Sequence, residues 1–289
     1  MIVLAGFGFL LVCVFGGYLM AGGSLGPILH ALPFEMLIIG GAAVGSFLMA
    51  NSMSAVKHTL GALKKVMKGS RYARQDYLDL CAVLYRLLRV AQMKGAVGLE
   101  PHIERPNESE IFTLFPKVLA DHHAVSLICD YMRMIGMNAD DPHQVEDVML
   151  RELKKIREEE LHAAHALQTM ADALPALGIV AAVLGVIKTM GSIDKPPAVL
   201  GAMIGGALVG TFLGVLLAYG LVGPLATRLR AIVDEESKYL EVIRAVLIAH
   251  LHGNAPSVAV EIGRKAVPSD LMPTFQVLET AMQEQRAGA

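Results

Sequence analysis

The stretch VLGAMIGGALVGTFLGVLLAYGLVGP, residues 199–224, decides how the rest of the chain is read. It holds no charged side chain, and its only hydroxyls are on Thr211 and Tyr219. A helix rises ~1.5 Å per residue, so roughly 20 apolar residues cross the hydrocarbon core of a bilayer. This run is long enough. Its glycines Gly201, Gly205, Gly206, Gly210 and Gly214 form overlapping four-residue pairs. Such pairs let backbones approach closely, which matters in lipid because no hydrophobic force drives helices together there. The spacing serves packing on a neighbouring span of the same chain, assembly with other copies or a partner span, or both.

Working outward, three further apolar runs appear. Residues 1–21 and 34–50 are separated by GGSLGPILHALP, and residues 173–190 and 199–223 by GSIDKPPA. The runs 34–50 and 173–190 are slightly short, but Glu35 and Lys188 at their edges can snorkel. Residues 1–21 read as a retained span: they lack a basic leading region, and GGYLMAGG is a poor cleavage site. The predicted fold class is all-α, a polytopic membrane protein with four transmembrane helices and a large helical cytoplasmic insert. Orientation follows from the basic residues beside the spans. Residues 1–51 contain no Lys or Arg, whereas residues 52–170 contain 16 of the 25. Both hairpin turns are therefore expected outside, with the middle segment and both termini in the cytoplasm. The expected divisions are a membrane hairpin at 1–51, a cytoplasmic helical domain at 52–170, a second hairpin at 171–223 and a cytoplasmic C-terminal helical segment at 224–289.

Composition narrows the functional classes. The chain is 54% hydrophobic and 18% charged, too apolar for an ordinary soluble domain and too charged to lie wholly in lipid. A net charge of −2 argues against nucleic acid. Cys13, Cys81 and Cys129 are scattered and provide neither a disulfide framework nor a zinc site. In the insert, Tyr77, Leu80, Val83, Leu84, Leu87 and Leu88 recur at three- and four-residue intervals, the pattern of an amphipathic helix. The insert is expected to be a helical bundle continuous with spans two and three. His162 and His165, beside Glu158, Glu159 and Glu160, suggest a metal pair, but the order is not H-E-x-x-H and no third ligand is evident. No enzyme motif, metal site or cofactor loop is read from the sequence.

The spans hold almost nothing that carries an ion. Glu35 and Asp172 are placed at span edges and His30 in a turn, leaving no carboxylate at a span centre. An ion relay needs such a group, so either the chain conducts nothing or a second protein supplies it. Pro175 is read as opening span three and Pro224 as closing span four, at one depth; Ala182 and Thr211 fall near the middle of their spans.

In order along the chain, GGYLMAGGSLG, LYRLL, ERPNESEIF, LPALGIVAAVLGVIKTMGS, GTFLGVLLAYGLVGPLATRL and APSVAVEIGRK resemble the MotA family of flagellar stator subunits, relatives of the TolQ and ExbB energisers. The similarity runs from residue 1 to about 280. It implies a ring of subunits, a pentamer, in the bacterial inner membrane around a dimer of MotB, whose membrane helix supplies the ion-accepting aspartate and which anchors to peptidoglycan. It further implies torque on the rotor switch protein FliG and contact with membrane lipid. Pro175 and Pro224 match prolines near the MotB aspartate, Thr211 the threonine facing it, and Glu100 the acid at the rotor contact. The basic rotor-contact residue aligns with Gln92 here, so Arg89 or Lys94 is the candidate replacement. Sodium needs several oxygen ligands, and Ala182 stands where sodium-type relatives place a threonine, so protons are the expected ion. The alternative is a TolQ- or ExbB-type proton-driven energiser of an envelope system, which typically has three spans and a smaller body.

Overall fold

The computed structural model describes residues 2–137 and 141–287. The architecture is all-α, with no strand among the described residues. The helices are α1 (Ile2–Met20), α2 (Gly26–Glu35), α3 (Gly41–Ala50), α4 (Met53–Lys68), α5 (Arg74–Glu104), α6 (Pro116–Leu119), α7 (His122–Gly136), α8 (Pro142–Met190), α9 (Pro197–Leu217), α10 (Gly223–Leu251), α11 (Pro256–Arg264) and α12 (Phe275–Ala287). Short π-helical segments, Met36–Gly40 and Ala218–Val222, join α2 to α3 and α9 to α10. The chain forms two compact units, residues 1–69 with 159–233 and residues 70–158 with 234–289. Four helical stretches are long and apolar enough to cross a membrane: Val3–Met20, Gly26–Ala50, Pro142–Met190 and Pro197–Leu251.

Three details depart from the expectations. The second candidate span begins at Gly26, not at residue 34, because most of GGSLGPILHALP is helical: Pro27 fits the first turn, where a missing N–H costs nothing. Pro175 and Pro224 lie within continuous helical stretches and do not terminate them. Pro224 offers no N–H to the preceding turn. The helix accommodates this with a π turn in which the Gly223 N–H reaches back to the Ala218 carbonyl. Continuity with the insert holds for α8, which runs unbroken from Pro142 to Met190. It fails after the second span. Asn51 is extended (φ −125°, ψ 146°), its Nδ2 donates to the Phe47 carbonyl at 2.9 Å, and Ser52 Oγ accepts from Ala55 N to start α4.

In the first unit, α4, α8 and α10 pack through Ala62, Val66, Leu161, Ala164, Leu167, Ala226 and Leu229. Lys65 Nζ pairs with Glu160 Oε2 at 2.5 Å on the same bundle. The second unit is built around α5, against which α7, α11 and α12 pack. Its predicted stripe Tyr77, Leu80, Val83, Leu84, Leu87 and Leu88 is buried. Arg264, almost fully enclosed, holds Glu261 with two nitrogens and donates to the Pro273 carbonyl at 2.9 Å.

A cluster of tyrosines and one aspartate lies in the second unit. Tyr72 and Tyr239 stack with ring centres 3.8 Å apart, and Tyr77 meets Tyr239 edge-on at 5.4 Å. The Tyr72 hydroxyl donates to Asp121, and Asp121 Oδ1 accepts from Ala124 N to cap α7. Burial and the Asp121 carboxylate drive the Tyr72 phenol far above its ordinary range. Asp121→Ala removes a cap and leaves a buried hydroxyl unpaired, an expected cost of about 2–3 kcal/mol. Tyr72→Phe, which frees the carboxylate but keeps the stack, is expected to cost less. Thermal unfolding of the purified full chain in detergent ranks the two.

Candidate ion-path site

The candidate path is built on α8 and α9, and the side chains missing from their seam determine how close they come. A methyl group at Gly178 would lie 2.9 Å from the Gly210 carbonyl oxygen, 3.2 Å from Gly214 Cα and 3.3 Å from Thr211 Cα. One at Gly214 would lie 2.7 Å from the Leu174 carbonyl oxygen, and one at Gly185 2.5 Å from Ala207 Cβ and 2.9 Å from its Cα. These approaches leave no room for a side chain at the glycine, and those of Gly178 and Gly214 are backbone to backbone. The predicted glycine face therefore divides. Gly210 and Gly214 are consumed by packing within the chain, whereas a methyl at Gly201, Gly205 or Gly206 would meet nothing within 4 Å. Gly178 and Gly185, which complete the seam from α8, were missed: isolated glycines seven residues apart give no four-residue signal.

Thr211 and Ala182 are half-buried beside this seam, as is Pro175; Pro224 is exposed. Pro224 borders an open cleft of about 590 Å³ with Gln168, Tyr219, Thr227 and Arg228. The α1 helix joins through Phe15, which meets Phe212 edge-on at 6.0 Å.

Glu35 corrects the expectation that it stands at a span edge. It ends α2, within the candidate span Gly26–Ala50, about 14 Å along the helix at 1.5 Å per residue. Its side chain is only 7% exposed. A methyl group at Gly210 would lie 2.7 Å from its Oε2, so the carboxyl rests in the space that glycine leaves. Oε2 is buried and finds no hydrogen-bond partner among the described residues. The sequence did contain the signal, a charge inside a long helix, but reading GGSLGPILHALP as a turn put Glu35 at an edge.

The second set of candidates lies on α5, in the other unit. The backbone at Gly95 has φ +64°, so the helix is broken there into two arms. Left-handed geometry suits glycine and few other residues. Arg89 lies on the first arm, with its guanidinium 6.0 Å from the Tyr85 ring centre and 3.9 Å from Met93 Sδ. Gln92, Lys94 and Glu100 are exposed. Lys94 lies over Gly98, on the second arm, so that a methyl there would collide with it. Lys94 thus touches the second arm at Gly98, while Arg89 contacts Tyr85 and Met93 on its own arm. His102 Nδ1 lies 2.9 Å from Ser109 Oγ, whose oxygen already accepts from the Ile111 and Phe112 N–H groups. The serine hydroxyl therefore donates to an unprotonated Nδ1.

His162 and His165 are exposed on α8. Among the described residues no group of three or more His, Cys, Asp or Glu side chains stands where it would hold a metal ion.

Residues 4–95 match the family Motility protein A N-terminal, and residues 119–242 the MotA/TolQ/ExbB proton channel family. Motility protein A of Escherichia coli is 45% identical over 96% of this chain and 94% of its own length. This chain belongs to the Motility protein A family. The Salmonella typhimurium Motility protein A is 43% identical, also over 96% of this chain and 94% of its own. The chemotaxis protein LafT of Vibrio parahaemolyticus is 38% identical over 96% of each. In fold, the chain is similar to the solved structure of C. jejuni MotAB, with a TM-score of 0.75, 21% identity, and 94% of this chain and 98% of that one covered. The flagellar MotAB stator complex from Bacillus subtilis gives a TM-score of 0.70 at 22% identity, covering 96% and 98%. The chain is thus a multi-pass membrane protein of a stator and proton-channel family, which is not a class of enzymes.

Two outcomes test the site's construction. Gly214→Ala forces backbone against backbone and is expected to cost about 1–3 kcal/mol, whereas Gly205→Ala, which meets nothing within 4 Å and gains up to about 1 kcal/mol of helix propensity, leaves the isolated chain's melting temperature unchanged or raised. Thermal unfolding of each full-length variant in detergent decides. Burial, the largest influence, holds the His102 imidazole below its ordinary range. The unfolded chain therefore takes up this proton first as pH falls below about 6.5, so the contribution is intact above that pH and declines with acid. Protonation also puts a hydrogen on Nδ1 where it now accepts one. Hydrogen exchange at residues 105–115 is expected to speed up on acidification, after correction for intrinsic rates, and His102→Ala is expected to remove that excess.

Proposed function

We propose that this chain is the ring-forming subunit of a proton-driven flagellar stator in the bacterial inner membrane, which with MotB turns proton-motive force into torque. The observation that carries the reading is 45% identity to Motility protein A across nearly the whole of both chains. Four candidate spans and a large second unit favour it over a TolQ- or ExbB-type energiser.

In this reading residues 1–51 and 171–223 form two membrane hairpins whose turns face outward. Residues 52–170 and 224–289 lie in the cytoplasm with both termini. Copies of the chain, five in a ring, surround a MotB dimer whose aspartate accepts the proton beside Thr211, Ala182, Pro175 and Pro224. The open glycine face at Gly201, Gly205 and Gly206 supports contact with another span. Ala182 offers no side-chain oxygen and Thr211 only one, a poor cage for sodium but no obstacle to a proton. One charge falling through 100 mV releases about 2.3 kcal/mol, enough to bias a step between two packings.

The rotor-facing charges are Glu100 and Lys94, both exposed, on either side of the Gly95 kink. Lys94 then supplies the positive charge that Gln92 lacks, while Arg89 is engaged with Tyr85 and Met93. FliG is the proposed partner at this surface. Membrane lipid surrounds the spans, and neither nucleic acid nor a cofactor takes part.

Expression of the chain with its own MotB in flagellated bacteria lacking a stator is expected to restore swimming. Thr211→Val is expected to lower torque severalfold while the complex is still recovered from membranes, and Glu100→Lys to impair rotor coupling without affecting proton flux. Failure of the unaltered pair to support swimming, although it assembles in the membrane, would count against the reading.

A further inference from the structure

Glu35 is the one Asp, Glu, Lys or Arg within the candidate span Gly26–Ala50, and the stator reading does not use it. It is more than nine-tenths buried, and its Oε2 finds no hydrogen-bond partner among the described residues. The surroundings are apolar and shaped to it. Oε2 lies where a side chain at Gly210 would stand, Ala181 Cβ occupies the other side of that position, and Ile39, Leu213 and Ala43 form the nearby core. A π segment begins at the next residue, Met36, a distortion frequent at functional sites. A group that served only packing would cost less as leucine, since a buried unpaired oxygen is expensive in hydrocarbon.

We propose that Glu35 is a proton-binding site of this chain's own, lying in the seam between α2 and α9 and exchanging a proton with the ion path during conduction. This rests on the stator reading above. The step is a plain transfer: the carboxyl O–H breaks, the proton passes to water or to the partner's aspartate, and the carboxylate left behind takes up the next proton from outside, which restores the carboxyl group. The site lies beside Gly210, one residue from Thr211, and so at the depth of the proposed path. Few charges face it. The α9 helix carries none, α1 carries none, α2 adds only the exposed His30, and the membrane part of α8 has only the exposed Asp172 and Lys188 towards its ends. Whatever charge Glu35 takes on is answered locally by little except the proton itself.

The test uses the complex of the full chain with its MotB, reconstituted in lipid vesicles enclosing a pH-sensitive dye, with proton entry driven by a potassium diffusion potential. Glu35→Gln keeps shape and hydrogen bonding but cannot ionise. It is expected to slow proton entry by about tenfold or more, with complex recovery unchanged. Glu35→Asp is expected to retain part of the flux with a displaced pH profile, a change that a packing role would not produce. Wild-type flux from Glu35→Gln would overturn the proposal, as would an aspartate variant with an unshifted profile. If the unaltered complex passes no protons, the stator reading fails, and the Glu35 site is then decided by difference infrared spectroscopy of the full chain. A carboxyl band that titrates with pH and disappears in Glu35→Gln supports the site, and the absence of such a band overturns it. That band also decides if Glu35→Gln fails to assemble, since it is then read as unaltered chain against Glu35→Asp.

Discussion

The contact on which the membrane unit depends is bare backbone against bare backbone where α8 crosses α9. Gly178 faces the Gly210 carbonyl and Gly214, Gly214 faces the Leu174 carbonyl, and Gly185 faces Ala207. In water, large apolar side chains would drive two helices together. In lipid that drive is absent, because the acyl chains are as apolar as leucine, and attraction comes from close packing and weak polar contacts. Glycine is the residue that lets those short-range terms act. Its usual penalty in a helix, about 1 kcal/mol relative to alanine, is offset by the approach it permits.

The same seam explains how a carboxyl group can sit where Glu35 sits. A side chain at position 210 would fill the space now held by Oε2. One glycine therefore serves two neighbours, Gly178 on α8 and Glu35 on α2. The second unit follows the opposite logic. Its core is made by side chains, with Leu80, Leu84, Leu87, Ile128, Val242 and Ile243 fully enclosed, and among its polar groups Tyr72 is paired with Asp121 and Arg264 with Glu261. There water supplies the driving force, and each buried charge needs a partner.

The amino-acid sequence determined much of this by itself. Long apolar runs define candidate spans because roughly 20 such residues match a bilayer. The three- and four-residue rhythm from Tyr77 to Leu88 defines the buried face of α5 because helical geometry permits no other register. Ordered motifs identified the family without any coordinates. Tertiary structure alone decided which glycines face one another, that Pro175 and Pro224 lie inside helices, that α5 breaks at Gly95 and sets Lys94 against Gly98, and that Glu35 lies buried against Gly210. The physical reason is common to these cases. Periodicity reports which face of a helix is apolar, but a glycine has no side chain to contribute to that pattern and a single acid contributes only one point. Where each of them lies depends on the neighbouring helix, and the partner position is up to 175 residues away in the chain, as Glu35 is from Gly210.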